Sequence, residues 1–103
     1  MNFESSGNNE RYTTLFKRGL KKYKKSREYL IRIRYIILDI RKNPLIGDPK
    51  VADLKGIRAY EFFLDKTRMK VVYSFVPNED TIYFIALGSH SDIGDKYETI
   101  KIH

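Results

Sequence analysis

The periodicity of the apolar residues changes once along this chain, and this change constrains the fold more than any other feature. From Lys17 onward, apolar residues recur at spacings of three and four, as on one face of an amphipathic helix. They are Leu20, Tyr23, Tyr29, Leu30, Ile33, Ile36, Ile37 and Ile40. A break near Lys25–Arg27 predicts two helices, and Pro44 predicts that the second ends near Asn43.

Beyond a turn-rich link, three short segments rich in β-branched and aromatic residues predict strands. They are Ala59–Leu64, Met69–Val76 and Thr81–Leu87. Short polar links separate them, so they should form an antiparallel meander. We therefore predict an α+β fold, with an N-terminal helical hairpin packed on a small antiparallel β-sheet of four to five strands.

Both ends of the chain leave alternatives open. Tyr12–Phe16 has strand character, but the basic run that follows could draw it into a helix. Tyr97–Ile102 alternates between apolar and polar residues and is either a further strand or an irregular tail. Residues 1–10 are polar and lack periodicity, so we predict a flexible tail there and a single domain over 11–103.

Composition narrows the function classes. The chain has no cysteine, which excludes disulfides and thiolate metal sites, and its two histidines make a multi-histidine metal site improbable. It has no apolar run long enough to cross a membrane and no signal-peptide core. We therefore expect a cytoplasmic protein that needs neither a metal nor a small-molecule cofactor.

Positive charge is concentrated in one segment. The net charge is +7, and residues 11–42 carry twelve Lys and Arg against two acids, Glu28 and Asp39. This asymmetry indicates a polyanion or an acidic protein as partner. An ordinary solvated helix face is the alternative.

The order of several short motifs is similar to that of the RelE/ParE superfamily of bacterial toxins. A basic helical segment precedes Asn-Pro-x-x-Gly at 43–47 and Leu-Lys-Gly at 54–56. The second predicted strand then contains Val-Val-Tyr at 71–73, and the end of the third leads into Leu-Gly-Ser-His-Ser-Asp at 87–92. The last segment most resembles the YafQ branch. The resemblance implies a type II toxin that acts at the ribosome, cleaves messenger RNA and is neutralised by a cognate antitoxin.

The chain also departs from the family pattern. Lys70 stands where many members have arginine, and Glu61 stands where others have a basic residue. Histidine-rich members of the family carry further histidines at positions that correspond here to Ala52 or Asp53 and to Phe63 or Leu64. Of that histidine set, this chain keeps only His90. The resemblance therefore implies fewer catalytic residues in this chain than in the histidine-rich members.

Cleavage of RNA by its own 2′-hydroxyl needs a proton acceptor, a proton donor and positive charge on the phosphorane, but no metal. Because imidazole ordinarily titrates near neutral pH, His90 is the leading catalytic candidate. Lys70 and Arg68 are expected to hold the phosphate, and Asp92 to orient His90 or act as a base. Asp53 and Glu61 are weaker candidates for the missing base.

Basic and aromatic side chains elsewhere predict the RNA-binding surface. The predicted residues are Lys17, Arg18, Lys21, Lys22, Lys25, Lys55, Arg58 and Tyr97. Two other functions remain open at this point. One is a non-enzymatic gyrase inhibitor of the ParE kind, and the other is an inactive basic binding module of the same fold.

Overall fold

The structure is a computed structural model, and it describes residues 9–49 and 56–93. The elements in chain order are β1 (Asn9–Tyr12), α1 (Thr14–Lys22), α2 (Arg27–Lys42), β2 (Asp48–Pro49), β3 (Ile57–Leu64), β4 (Thr67–Val76), a 3-10 turn (Pro77–Glu79), β5 (Thr81–Ser89) and α3 (His90–Ile93). The predicted α+β class and the three central strands are confirmed. The third strand runs two residues beyond its predicted end at Leu87.

Local chemistry accounts for the break between the two helices. Thr13 and Ser26 cap α1 and α2, since their hydroxyl oxygens accept from the amides of Phe16 and Tyr29 at 3.0 and 3.2 Å. Helix α2 ends at Lys42, just before Asn43 and Pro44, as predicted.

The sheet contains five strands among the described residues, in the order β1-β5-β4-β3-β2. The β3–β4–β5 meander is antiparallel, but β1 pairs with β5 in parallel, so the sheet is mixed. The expectation of a purely antiparallel sheet that follows an N-terminal helical hairpin was therefore wrong. A strand comes first in the chain, and the two helices connect β1 at one edge of the sheet with β2 at the other edge.

The N-terminal boundary also needs correction. Asn9 and Glu10 belong to β1 and not to the predicted tail, and the Glu10 side chain forms a buried ion pair with Arg41 of α2. The strand expected at Tyr12–Phe16 stops at Tyr12, where the alternative, a helix, takes over from Thr14. Residues 1–8 and 94–103, including the alternating segment at Tyr97–Ile102, lie outside the described residues.

The main core lies between the two helices and one face of the sheet. Its fully buried side chains come from both layers: Phe16, Ile33, Ile36 and Ile40 from the helices, and Met69, Val71, Tyr73, Ile82 and Phe84 from the strands. Tyr73 also carries a polar anchor. Its hydroxyl donates to the Pro44 carbonyl at 2.7 Å and accepts from the Gly47 amide at 2.9 Å, and burial raises its pKa above the ordinary value.

The opposite face of the sheet carries a smaller apolar cluster of Ala59, Val72, Ala86 and Ile93. Because successive residues of a strand point to opposite faces, β4 presents Val71 and Tyr73 to the main core and Arg68, Lys70 and Val72 to this second face. No helix in the described part of the chain is long and apolar enough to cross a membrane.

Candidate nucleic-acid and catalytic site

Three of the predicted catalytic residues lie at one end of the second sheet face. Lys70 of β4 is paired in register with Glu61 of β3 on one side and with Gly88 of β5 on the other. His90 follows two residues after Gly88, at the start of α3. The sheet register therefore brings Glu61 and Lys70, from two strands, to the end of β5 that leads directly into α3.

Arg68 is bound to Glu61. Nε and Nη2 of Arg68 both donate to Oε1 of Glu61, at 3.0 and 2.7 Å. The Arg68 guanidinium lowers the pKa of the Glu61 carboxyl; its partial burial opposes this, and the charges of Lys70 and His90 add to the lowering. Glu61 is thus within electrostatic range of all three predicted catalytic residues.

The three predicted residues differ in accessibility. The Arg68 side chain is 50% exposed, whereas Lys70 is only 3% exposed. His90 is half-buried, and its Nδ1 atom is buried with no hydrogen-bond partner among the described residues. Arg68 is therefore the cation most open to a phosphate, and Lys70 contributes its charge from beneath the surface.

Asp92, predicted to orient His90 or to act as a base, makes two described contacts, with Lys22 and Ser89. Its carboxylate is 3.5 Å from Nζ of Lys22 on α1, and its amide donates to the Ser89 hydroxyl. The contact with Lys22 connects α3 to the basic helix, and the contact with Ser89 connects α3 to the end of β5. The contact with Lys22 places the C-terminal end of α1 beside α3, the short helix that begins at His90.

The predicted RNA-binding side chains fall into three groups. Those of the basic helix and the turn after it are exposed, namely Lys17, Arg18, Lys21, Lys22 and Lys25. Arg58 donates instead to the carbonyls of Leu45 and Gly47, at 3.2 and 2.8 Å, and so fastens the link after α2 to β3. Lys55 and Tyr97 lie outside the described residues, as does Asp53.

Glu61, which the sequence suggested only as a weaker candidate for the missing base, is bound to Arg68 in the structure. Its strand was predicted, and strand alternation alone places it on the face opposite to Phe62 and Leu64, which are buried in the core. The missing information was the register that sets it beside Lys70. Among the described residues, no group of three or more His, Asp or Glu side chains is arranged to hold a metal ion.

Solved structures with the same fold include bacterial toxins. The isolated Escherichia coli RelE toxin matches with a TM-score of 0.58 and 15% identity over 93% of this chain and 98% of RelE. The E. coli DinJ–YafQ complex matches with a TM-score of 0.64 and 16% identity over 85% and 99%. A metal-bound toxin from Helicobacter pylori matches with a TM-score of 0.54 and 18% identity over 84% and 99%. No curated protein matches the chain by sequence.

Sequence identities this low show a shared fold but not a shared family, which is identified here by a family model. It describes the ParE-like toxin of type II bacterial toxin–antitoxin systems, and it matches residues 11–101. That range includes every described element except the first two residues of β1. The chain therefore belongs to the ParE-like toxins of type II bacterial toxin–antitoxin systems.

Proposed function

We propose that this toxin is a metal-independent endoribonuclease that cleaves messenger RNA during translation at the ribosome. The observation that carries the proposal is the cluster of His90, Arg68 and Lys70, with Glu61 among them, on the sheet face opposite α1 and α2. It combines a group that can transfer a proton with cations that can neutralise a phosphorane.

His90, Arg68 and Glu61 have separate roles in the reaction. The RNA 2′-oxygen loses its proton, attacks the adjacent phosphorus and forms a 2′,3′-cyclic phosphate, while the bond to the 5′-oxygen breaks and that oxygen takes up a proton. His90 transfers a proton in this sequence, and Arg68 binds the phosphate oxygens as negative charge develops. Glu61 is a positioning residue that holds the Arg68 guanidinium.

The exposed cations of α1 would guide the RNA to this cluster. Lys17, Arg18, Lys21 and Lys22 lie on one helix, and the contact of Lys22 with Asp92 brings the end of that helix next to α3. Each phosphate contact releases counterions, so affinity for RNA should fall steeply with added salt. The same positive surface would attract a cognate antitoxin of acidic character, as expected for a type II pair and consistent with the solved DinJ–YafQ and RelBE complexes.

The test is a cell-free translation reaction with one defined messenger RNA and the purified toxin. We expect new RNA 5′ ends that carry a hydroxyl group, the product of 2′-oxygen attack, and we expect them only while the message is translated. His90→Ala should slow their appearance by about 100-fold or more, the usual share of proton transfer in catalysis. Arg68→Gln should slow it by about 10-fold to 100-fold, the usual effect of losing one hydrogen bond to a charged group.

The matched control is Arg11→Gln, which removes an exposed arginine beside Tyr83 at the far end of β5 from His90. It should cleave at the wild-type rate. Full cleavage by both site variants, with wild-type thermal stability, would reject the assignment of the site.

A second function, inhibition of gyrase without catalysis, is favoured by one observation. Arg68 is already bound to Glu61, and Lys70 is almost fully buried, so the cluster offers few ready cations to a phosphate. Intact messenger RNA together with loss of DNA supercoiling by gyrase would establish this alternative.

A further inference from the structure

A groove lies beside the candidate catalytic cluster, between the basic helix and the turn into α3. It has a volume of about 280 Å³. One wall is a single stripe of α1, with Leu15, Arg18, Gly19 and Lys22 at helical spacings of three and four. The other wall comes from the end of β5 and from α3, including Asp92 and Ile93.

Gly19 explains why the helix can lie directly against the strand here. A Cβ atom at position 19 would stand 1.9 Å from the carbonyl oxygen of Leu87, so that only glycine permits this approach. Gly88 forms part of the groove lining on the strand side, and it is also the register partner of Lys70. The groove therefore opens next to the proposed site of cleavage.

The groove divides into an apolar part and a charged rim. Leu15, which is 43% exposed, and the buried Ile93 supply apolar surface. Arg18 and Lys22 supply positive charge, and Asp92 faces Lys22 across 3.5 Å as the single acidic side chain in the described lining. A ligand that separates this ion pair must bring an anion for Lys22 and hydrogen-bond donors for Asp92.

A nucleotide has both features. Its phosphate is an anion, the edge of its base carries N–H donors, and its base faces are apolar enough to lie against aliphatic side chains. The volume is near the lower limit of about 300 Å³ for small-molecule sites, which suits one base and not a larger ligand. Among the four RNA bases, guanine alone places two adjacent N–H donors, N1–H and N2–H, where both oxygens of one carboxylate can accept them.

We propose that this groove binds one base of the RNA strand and that Asp92 makes it select guanine. The proposal rests on the proposed ribonuclease function for its substrate class. The phosphate of the bound nucleotide contacts Arg18 and Lys22, and the strand continues past Gly88 toward Arg68 and His90.

The experiment measures binding without cleavage. Fluorescent RNA hexamers with 2′-O-methyl groups cannot be cut by 2′-oxygen attack, and each has five uridines and one central base: guanine, hypoxanthine or adenine. We expect the wild-type toxin to bind the guanine hexamer about fivefold to tenfold more tightly than the adenine hexamer, a typical effect of one paired contact. Hypoxanthine lacks the N2 amino group and should fall between them.

Asp92→Asn should reduce the difference between guanine and adenine to less than about twofold. The matched control is Asp80→Asn, which makes the same change of charge at the other end of β5. Asp80 has φ of 50°, a conformation that asparagine tolerates well. This variant should keep the wild-type preference.

The binding measurement and the cell-free translation reaction together separate the two proposals. A guanine preference that depends on Asp92, in a toxin that leaves translated messages intact, would preserve the groove and reject the ribonuclease. Cleavage by a toxin that shows no guanine preference, or whose preference survives Asp92→Asn, would overturn the groove proposal. Absence of measurable hexamer binding would overturn it as well.

Discussion

The two faces of the sheet are formed by the same strands but carry different kinds of side chain. The helix-covered face buries large side chains such as Phe16, Tyr73 and Phe84 in a continuous core. The opposite face buries a small cluster around Val72 and Ala86, and it carries Glu61, Arg68 and Lys70 at the same end as His90. The larger core lies on the helix-covered face, so the opposite face can hold charged groups close together without interrupting that core.

Adjacent valines test this contrast directly, because Val71 and Val72 are 0% and 1% exposed and point to opposite faces. Val71→Ala should lower the free energy of unfolding by about 2–4 kcal/mol, since the neighbours of Val71 are held by the helices and cannot close the cavity. Val72→Ala should cost about 1–2 kcal/mol among its smaller neighbours. Urea denaturation measures both, and equal losses would refute the contrast.

The polar anchor of the main core offers a second test. Tyr73→Phe removes the buried hydroxyl and leaves the Pro44 carbonyl and the Gly47 amide without their partner. We expect a loss of about 1–3 kcal/mol in the free energy of unfolding. Tyr83→Phe is the control, because it removes an exposed hydroxyl that donates to Glu79 and that water can replace. A loss as large in the control would show that burial is not the cause.

Removal of the ion pair on the second sheet face should change the free energy of unfolding only slightly, and by an amount that depends on pH. Because the pKa of Glu61 is lowered in the folded state, its ion pair with Arg68 stabilises the protein fully above the ordinary carboxyl pKa. That contribution is lost as the pH falls through the lowered value. Both side chains are partly exposed, so Glu61→Gln should cost less than about 1 kcal/mol at neutral pH.

The measurement for this last prediction is a series of urea transitions between neutral and acidic pH, for wild type and Glu61→Gln. The difference between the two proteins should vanish in acid, where the wild-type carboxyl is protonated. A difference that stays constant over the series would show that the variant acts through packing and not through charge.

The sequence alone determined the elements that depend on neighbouring residues. Pro44 set the end of α2, Ser26 set the start of the same helix, and the β-branched segments set the three meander strands. The short links between those strands also determined their antiparallel pairing. The second sheet face of Arg68 and Lys70 followed from strand alternation, because apolar residues occupy the intervening positions.

Only the tertiary structure decided which distant segments meet. The parallel pairing of β1 with β5 joins residues about 70 positions apart, and nothing in the local pattern of residues 9–12 identifies that partner. The register that sets Glu61 beside Lys70, the burial of Lys70 and the contact of Asp92 with Lys22 depend on the same long-range packing. Local propensity acts over a few residues, whereas a site assembled from β3, β4, β5 and α3 exists only once their shared core has formed.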